Sequence, residues 1–266
     1  MQIGASTACL YPMETEKAII QLSDAGIGSM EIFFNADCEL QGDIYAEIEK
    51  IVRQRGISVL SVHPYTSAIE TMCLFGDYKR RLEAILDTYK RYFEIMNRLG
   101  AGVFVLHGAL KSAVLTAELY FERYSMLYEL GRSFGVTVAQ ENVSYCKSGS
   151  LDFLIDMKKR LGDNCGFVLD VKQALRSRLS PFEIYESLKE SVVHCHLSDH
   201  DSQKDCIPVG TGSFDFEKFA QMLKESGYKG NIILELYRSG FEKTEELCRS
   251  VEYMKKFFRN DMKNKE

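Results

Sequence analysis

Eight short β-rich runs alternate strictly with eight longer amphipathic ones along this chain, and that alternation narrows the available folds more than any other feature. The β-type runs cover residues 2–6, 29–33, 58–62, 102–106, 137–140, 166–169, 192–196 and 231–234. Runs such as Val103-Phe104-Val105-Leu106 and Ile232-Ile233-Leu234 are apolar on both faces, as a parallel strand covered by helices requires. Helical periodicity fills the intervals at 14–25, 43–55, 78–99, 115–134, 151–161, 181–189, 216–225 and 242–258. Glycines follow several of these stretches, Gly100 and Gly135 among them, where a left-handed cap residue ends a helix. Pro181 after Ser180 is a sound helix start. Eight strand–helix pairs predict an α/β protein whose parallel sheet closes into a (β/α)8 TIM barrel. The 266 residues suit the roughly 250 such a barrel needs. With 4 prolines and no low-complexity tract to form a linker, the expectation is a single domain over residues 1–266.

Composition then removes several classes of function. The net charge of −5 argues against a nucleic-acid partner, since phosphate backbones are bound by dense Lys/Arg surfaces. No stretch approaches the roughly 18 apolar residues of a membrane span, and Met1-Gln2-Ile3-Gly4-Ala5 lacks the basic and apolar regions of a secretory signal. A cytoplasmic location is expected. Eight cysteines lie scattered, with no C-x-x-C pair, the pattern of reduced thiols rather than a disulfide framework. The aromatic series Tyr120-Phe121…Tyr124…Tyr128 suits helix-to-sheet packing or a contact between subunits of a homo-oligomer.

In such barrels chemistry sits at the C-terminal ends of the strands. Polar residues that close an apolar strand are therefore informative, and here they are His63, His107, Glu141, Asp170, His196 and Glu235. A carboxylate or imidazole there costs several kcal/mol to desolvate if left unpaired. Convergence on a cation removes that cost. Glu141, Asp170, His196 and Glu235 follow one another at about one strand–helix unit each, so they close strands 5, 6, 7 and 8. Neighbouring strands lie about 4.8 Å apart, close enough for these side chains to share one divalent ion. Three carboxylates and one imidazole suit Mn²⁺, Mg²⁺ or Co²⁺, with Zn²⁺ also compatible.

The ordered set Met30-Glu31-Ile32, Val62-His63-Pro64, Leu106-His107-Gly108, Gln140-Glu141-Asn142, Leu169-Asp170, His194-Cys195-His196-Leu197-Ser198-Asp199, Pro208-Val209-Gly210-Thr211-Gly212 and Leu234-Glu235 resembles the xylose isomerase-like barrels, sugar phosphate isomerases and epimerases among them. The resemblance spans nearly the whole length. It implies that Glu141, Asp170, His196 and Glu235 are metal ligands and that Glu141 and Glu235 double as a catalytic acid/base pair. The reaction implied is abstraction of a proton α to a carbonyl and its return elsewhere through an enediolate, on a carbohydrate substrate. His63 and His107 are similar to family positions that contact substrate hydroxyls, or else close the barrel top. His194, two residues before His196, points inward one layer deeper as a supporting or core histidine. Glu31 is expected at substrate or at a pocket histidine.

The sequence also departs from the family. Many members carry Asp-x-Gly-His after strand 6, where this chain has Asp170-Val171-Lys172-Gln173. Gln173 is expected to bond a substrate hydroxyl. No arginine lies between Leu197 and Ser213, where ketose 3-epimerases hold the sugar with one, so Lys172 or Arg238 is expected to supply the positive group. The Gly210-Thr211-Gly212 run suits a phosphate site or a turn before a helix capped by Ser213 or Asp215. Two rivals share the barrel. One is a lyase or dehydratase of the inosose dehydratase or C-glycoside-cleaving type. The more distant one is an endonuclease IV-like repair enzyme, whose additional histidines are replaced by Gln173 and Cys206.

Overall fold

In a computed structural model, which describes residues 1–262, eight parallel strands close into a barrel in chain order. They are β1 (Ile3–Ser6), β2 (Ser29–Phe33), β3 (Ser58–His63), β4 (Val103–Leu106), β5 (Thr137–Glu141), β6 (Gly166–Asp170), β7 (Val192–Leu197) and β8 (Asn231–Leu234). Pairing of β1 with β8, through Ile3↔Ile232 and Ala5↔Leu234, shuts the ring. The outer layer is α1 (Thr15–Asp24), α2 (Gly42–Gln54), α3 (Glu70–Cys73), α4 (Lys79–Leu99), α5 (Ala117–Ser133), α6 (Leu151–Leu161), α7 (Val171–Arg176), α8 (Pro181–Leu188), α9 (Phe216–Glu225) and α10 (Thr244–Met262). The expected barrel is therefore the observed one. Among the described residues no helix is long and apolar enough to cross a membrane, and all eight cysteines are unpaired.

Strand alternation sorts the side chains into two packing regions. Outward-facing residues such as Phe104, Leu106, Val138, Phe167 and Leu169 join the helices in one large core. Tyr89, Tyr92 and Phe93 of α4 meet the Phe104 ring edge-on at 5.3, 5.6 and 5.3 Å between centroids, a geometry aromatic quadrupoles favour. Inward-facing Val103, Val105, Ala139 and Val168 form a small second cluster inside the barrel. The same inward alternation, two residues further along, ends in His107, Glu141 and Asp170. The interior is thus apolar at its floor and ionisable at its upper rim.

Tyr120, Phe121 and Tyr124 are buried against the sheet, and the Tyr124 hydroxyl donates to Val138 O at 2.7 Å. These rings pack within the chain. The predicted helix from residue 115 starts at Ala117, because the Thr116 hydroxyl accepts from Leu119 N and caps it. Two short helices, α3 and α7, were absent from the periodicity reading, since four to six residues are too few to show a helical repeat. Helix α7 did carry a local signal: Asp170-Val171-Lys172-Gln173 is a capping-box pattern, and Asp170 Oδ1 accepts from Gln173 N at 2.8 Å.

Candidate metal centre

Register brings the expected rim residues together. Asp170 pairs with His196, Glu141 with Val168, and His196 with Ile233; Glu235 follows β8 with its N–H donating to Leu197 O at 3.1 Å. Ligand atoms of Glu141, Asp170, His196 and Glu235 all lie within 4.8 Å of one another. His196 Nδ1 sits 3.1 Å from Glu141 Oε1, 3.8 Å from Glu235 Oε2 and 4.0 Å from Asp170 Oδ2. Glu141 Oε2 and Asp170 Oδ2 are buried with no well-directed hydrogen bond, each facing a single nitrogen, His107 Nε2 at 3.0 Å and Lys172 Nζ at 3.4 Å. Buried carboxylate oxygens so thinly partnered are costly, and a divalent cation among these four donors would satisfy them. The donor set fits such an ion: hard oxygens and one imidazole nitrogen.

Electrostatics reflects the crowding of like charges. Burial pushes the Glu141 carboxyl up, yet His107 and His196 beside it hold it well below the usual carboxylate range. Asp170 moves the other way, because burial together with the Glu141 and Glu235 charges outweighs nearby Lys172. Burial pulls His196 down, but Glu31 and Glu235 raise it well above an ordinary imidazole.

Each of the four is held by a neighbour. Glu31 Oε2 lies 3.0 Å from His196 Nε2 and accepts from the Ser61 hydroxyl at 2.8 Å. That turns His196 Nδ1 toward the carboxylates, the way a carboxylate behind a metal-facing histidine fixes its orientation. His194, fully buried, stands behind this pair with Nε2 at 3.1 Å from Ser61 Oγ. Asn142 clasps the Asp170 backbone, accepting from its N–H at 2.7 Å and donating to its carbonyl at 3.0 Å. Gln140 Nε2 donates to Leu106 O, His107 O and Glu141 O, while its Oε1 accepts from the Tyr120 hydroxyl. The Gln140-Glu141-Asn142 run therefore ties β5 to both neighbouring strand ends.

His63 and His107 border the centre. Their Nε2 atoms are 2.8 Å apart, and His107 Nε2 is 3.0 Å from Glu141 Oε2. His63, His107 and Glu141 thus form a second group with metal-ligand proximity, sharing Glu141 with the first. Tyr145 Oη approaches His107 Nδ1 at 3.2 Å from the exposed side. Three contributors lacked a sequence signal. Glu70, buried in α3, accepts from Gly108 N at 2.6 Å and from the Tyr89 hydroxyl at 3.4 Å. Tyr145 and Tyr237 lie beyond strand ends, where no periodicity marks a residue.

Lys172 is the cation of the rim. Its side chain is only 3% exposed, with Nζ 2.8 Å from Glu235 Oε2 and 3.4 Å from Asp170 Oδ2. Arg238 is placed elsewhere: its guanidinium donates to the carbonyls of Phe241 and Glu242, so it closes its own loop. The Gln173 carboxamide oxygen accepts from Ser144 N and Oγ at 3.0 and 2.8 Å, which leaves the NH2 end as its donor. Cys206 Sγ is engaged with Glu235 O and Tyr237 N. The Gly210-Thr211-Gly212 run is a turn rather than an anion cradle. The N–H groups of Gly210 and Gly212 both donate to Asp199 Oδ2, at 3.0 and 2.8 Å, and Asp215 rather than Ser213 caps α9, accepting from Lys218 N at 2.9 Å.

Similarity to known proteins agrees with this architecture. A 3-dehydroshikimate dehydratase of Pseudomonas aeruginosa is 22% identical over 279 residues, covering 100% of this chain but 43% of the dehydratase; the chain spans less than half that relative's length. The crystal structure of a D-tagatose 3-epimerase-like protein superposes with a TM-score of 0.79 at 17% identity, covering 100% of both chains. A D-psicose 3-epimerase from Clostridium cellulolyticum H10, solved with D-tagatose, gives 0.79 at 14% identity over 97% of this chain and 99% of that one. These two likenesses are of fold. The family pattern itself matches residues 19–257, and the chain belongs to the xylose isomerase-like TIM barrel family.

Proposed function

We propose that this chain is a divalent-metal-dependent isomerase or epimerase of small sugars that works by abstracting and returning a proton α to a carbonyl. The observation that carries the reading is the four-residue group Glu141, Asp170, His196 and Glu235, three carboxylates and an imidazole whose ligand atoms all lie within 4.8 Å of one another. Mn²⁺, Mg²⁺ or Co²⁺ bound there would stabilise negative charge developing on the carbonyl and neighbouring hydroxyl oxygens of the substrate. Glu141 and Glu235 take the acid/base roles, one accepting the α-proton and the other returning it. Both sit where a carboxylate stays ionised at neutral pH: the pKa values of Glu141 and Glu235 are lowered against burial, the first by His107 and His196, the second by Lys172 and His196. His63, His107, the NH2 of Gln173 and Lys172 serve the substrate's hydroxyls and oxyanion. The sugar-epimerase neighbours support a carbohydrate substrate.

The test is solvent-deuterium incorporation into a panel of ketoses, inososes, 3-keto-glycosides and 3-dehydroshikimate, with Mn²⁺ supplied. Incorporation at an α-carbon with return of an isomer or epimer is expected. No exchange into any member of the panel would sink the proton-abstraction mechanism. A dehydratase is the second reading, favoured by the match of this whole chain to 43% of the Pseudomonas aeruginosa enzyme; exchange followed by loss of water and a rise in ultraviolet absorbance would select it.

A further inference from the structure

Three carboxylates and a histidine at one barrel rim need positive charge, and this chain supplies some of its own. Lys172 lies in the first turn of α7, whose N-cap is Asp170. Its Cα position is therefore fixed by the same residue its ammonium approaches. Nζ stands 2.8 Å from Glu235 Oε2 and 3.4 Å from Asp170 Oδ2, out of contact with solvent. Those two oxygens are the ones that face His196 Nδ1, at 3.8 and 4.0 Å. Asp170 has no spare oxygen to offer instead, because Oδ1 is taken by Gln173 N. A metal–carboxylate bond of roughly 2.0–2.2 Å and an ammonium hydrogen bond thus call on the same atoms.

We propose that Lys172 is a tethered competitor of the divalent ion: metal binding displaces its ammonium from Glu235 and Asp170, and the lysine sets how weakly the site holds metal. This rests on the reading above that the four rim residues bind a divalent ion. The displaced head group has a destination, since Nζ already lies 4.8 Å from the centroid of the Tyr237 ring. An ammonium over an aromatic face keeps part of its stabilisation through the ring quadrupole, so the lysine swings without becoming unpaired. Arg176 does not follow it, being anchored to Asp205 and to the Tyr237 hydroxyl. A unit and a double positive charge a few ångströms apart in a partly dry site repel each other with little solvent screening. Relieving that repulsion should register clearly in metal affinity.

The experiment compares Mn²⁺ binding by isothermal calorimetry in the wild-type chain and in Lys172→Met, which keeps most of the side-chain volume without the charge. Lys172→Met is expected to bind Mn²⁺ at least tenfold more tightly. Its metal-free form should unfold at lower temperature and gain more from Mn²⁺ than wild type does. Equal affinities, or weaker binding in the variant, would overturn the competition. Binding of Mn²⁺ by neither protein would overturn it together with the metal reading, whereas equal and tight binding by both would remove this inference alone. Should the variant not fold, a crystal structure of Mn²⁺-loaded wild-type protein decides. Nζ should then lie beyond hydrogen-bonding distance of both carboxylates, and Nζ still bonded to Glu235 Oε2 beside the ion would refute displacement.

Discussion

Glu141 and Glu235 differ from the other rim carboxylates in the work proposed for them, and amide substitution separates that work from folding. Glu141→Gln and Glu235→Gln should each lower turnover by at least 10³-fold, within the range of lost acid/base catalysis, while circular dichroism stays that of the wild-type barrel. Retained activity in either variant would remove that residue from the acid/base pair. Glu70 tests a different property. Burial raises its carboxyl from an ordinary 4.5 to about 7, against the lowering effect of His107 and the Gly108 N–H. The folded pKa exceeds the unfolded one, so the folded state holds the proton more tightly. Glu70 should therefore cost nothing below about pH 4.5, cost progressively more as pH rises toward 7, and remain at full cost above it. The span corresponds to about 3 kcal/mol. Glu70→Gln keeps an acceptor for Gly108 N and should flatten the urea-midpoint profile between pH 4.5 and 7.5. Parallel profiles in the two proteins would show that Glu70 does not titrate there. The strand-end rim residues were legible in the sequence because each closes an apolar run; Glu70 was not, because its carboxylate reaches Gly108 N and the neighbourhood of His107 only through the packing of α3.

At the scale of elements, the segment between β7 and α9 is organised by one side chain. Asp199 is buried and accepts from the N–H groups of His200 at 2.8 Å, Gly210 at 3.0 Å, Gly212 at 2.8 Å and Phe214 at 3.0 Å. Gly212 must lack a side chain, because a Cβ there would come within 2.2 Å of His200 O. Asp199→Asn would turn one acceptor oxygen into an NH2 facing two N–H donors. A loss of about 3 kcal/mol is expected, with the β7–α9 loop becoming protease-sensitive before the barrel unfolds. An unchanged proteolysis pattern would show that the glycines hold the turn unaided. The sequence pointed to this stretch but left open whether its glycines cradle a phosphate. The direction of their N–H groups settles it, and that direction depends on a residue eleven positions earlier. Helix α7 is similar: its capping box is local and readable, whereas the turn of Lys172 back onto Glu235, from a distant strand end, is not.

For the whole molecule, a bound ion would link all of strands 5 to 8 at the rim, so its removal should be felt globally. Dialysis against a chelator is expected to lower the thermal midpoint and Mn²⁺ to restore it in a concentration-dependent manner, following RT ln(1 + [L]/Kd). A midpoint indifferent to chelator and to Mn²⁺ would argue against a resident ion. The sequence by itself determined the architecture and the identity of the rim. Eight alternating units are the number a closed parallel barrel takes, and period-two alternation decides which strand-end side chains look inward. Tertiary structure decided how those side chains are partnered. Glu31 behind His196, Asn142 around Asp170, Glu70 near His107 and Lys172 between two candidate ligands are contacts between separate strand–helix units, and only barrel closure sets their distances. A pattern along the chain carries direction and period; ångström-scale competition between an ammonium and a metal for one carboxylate oxygen exists only once the ring is shut.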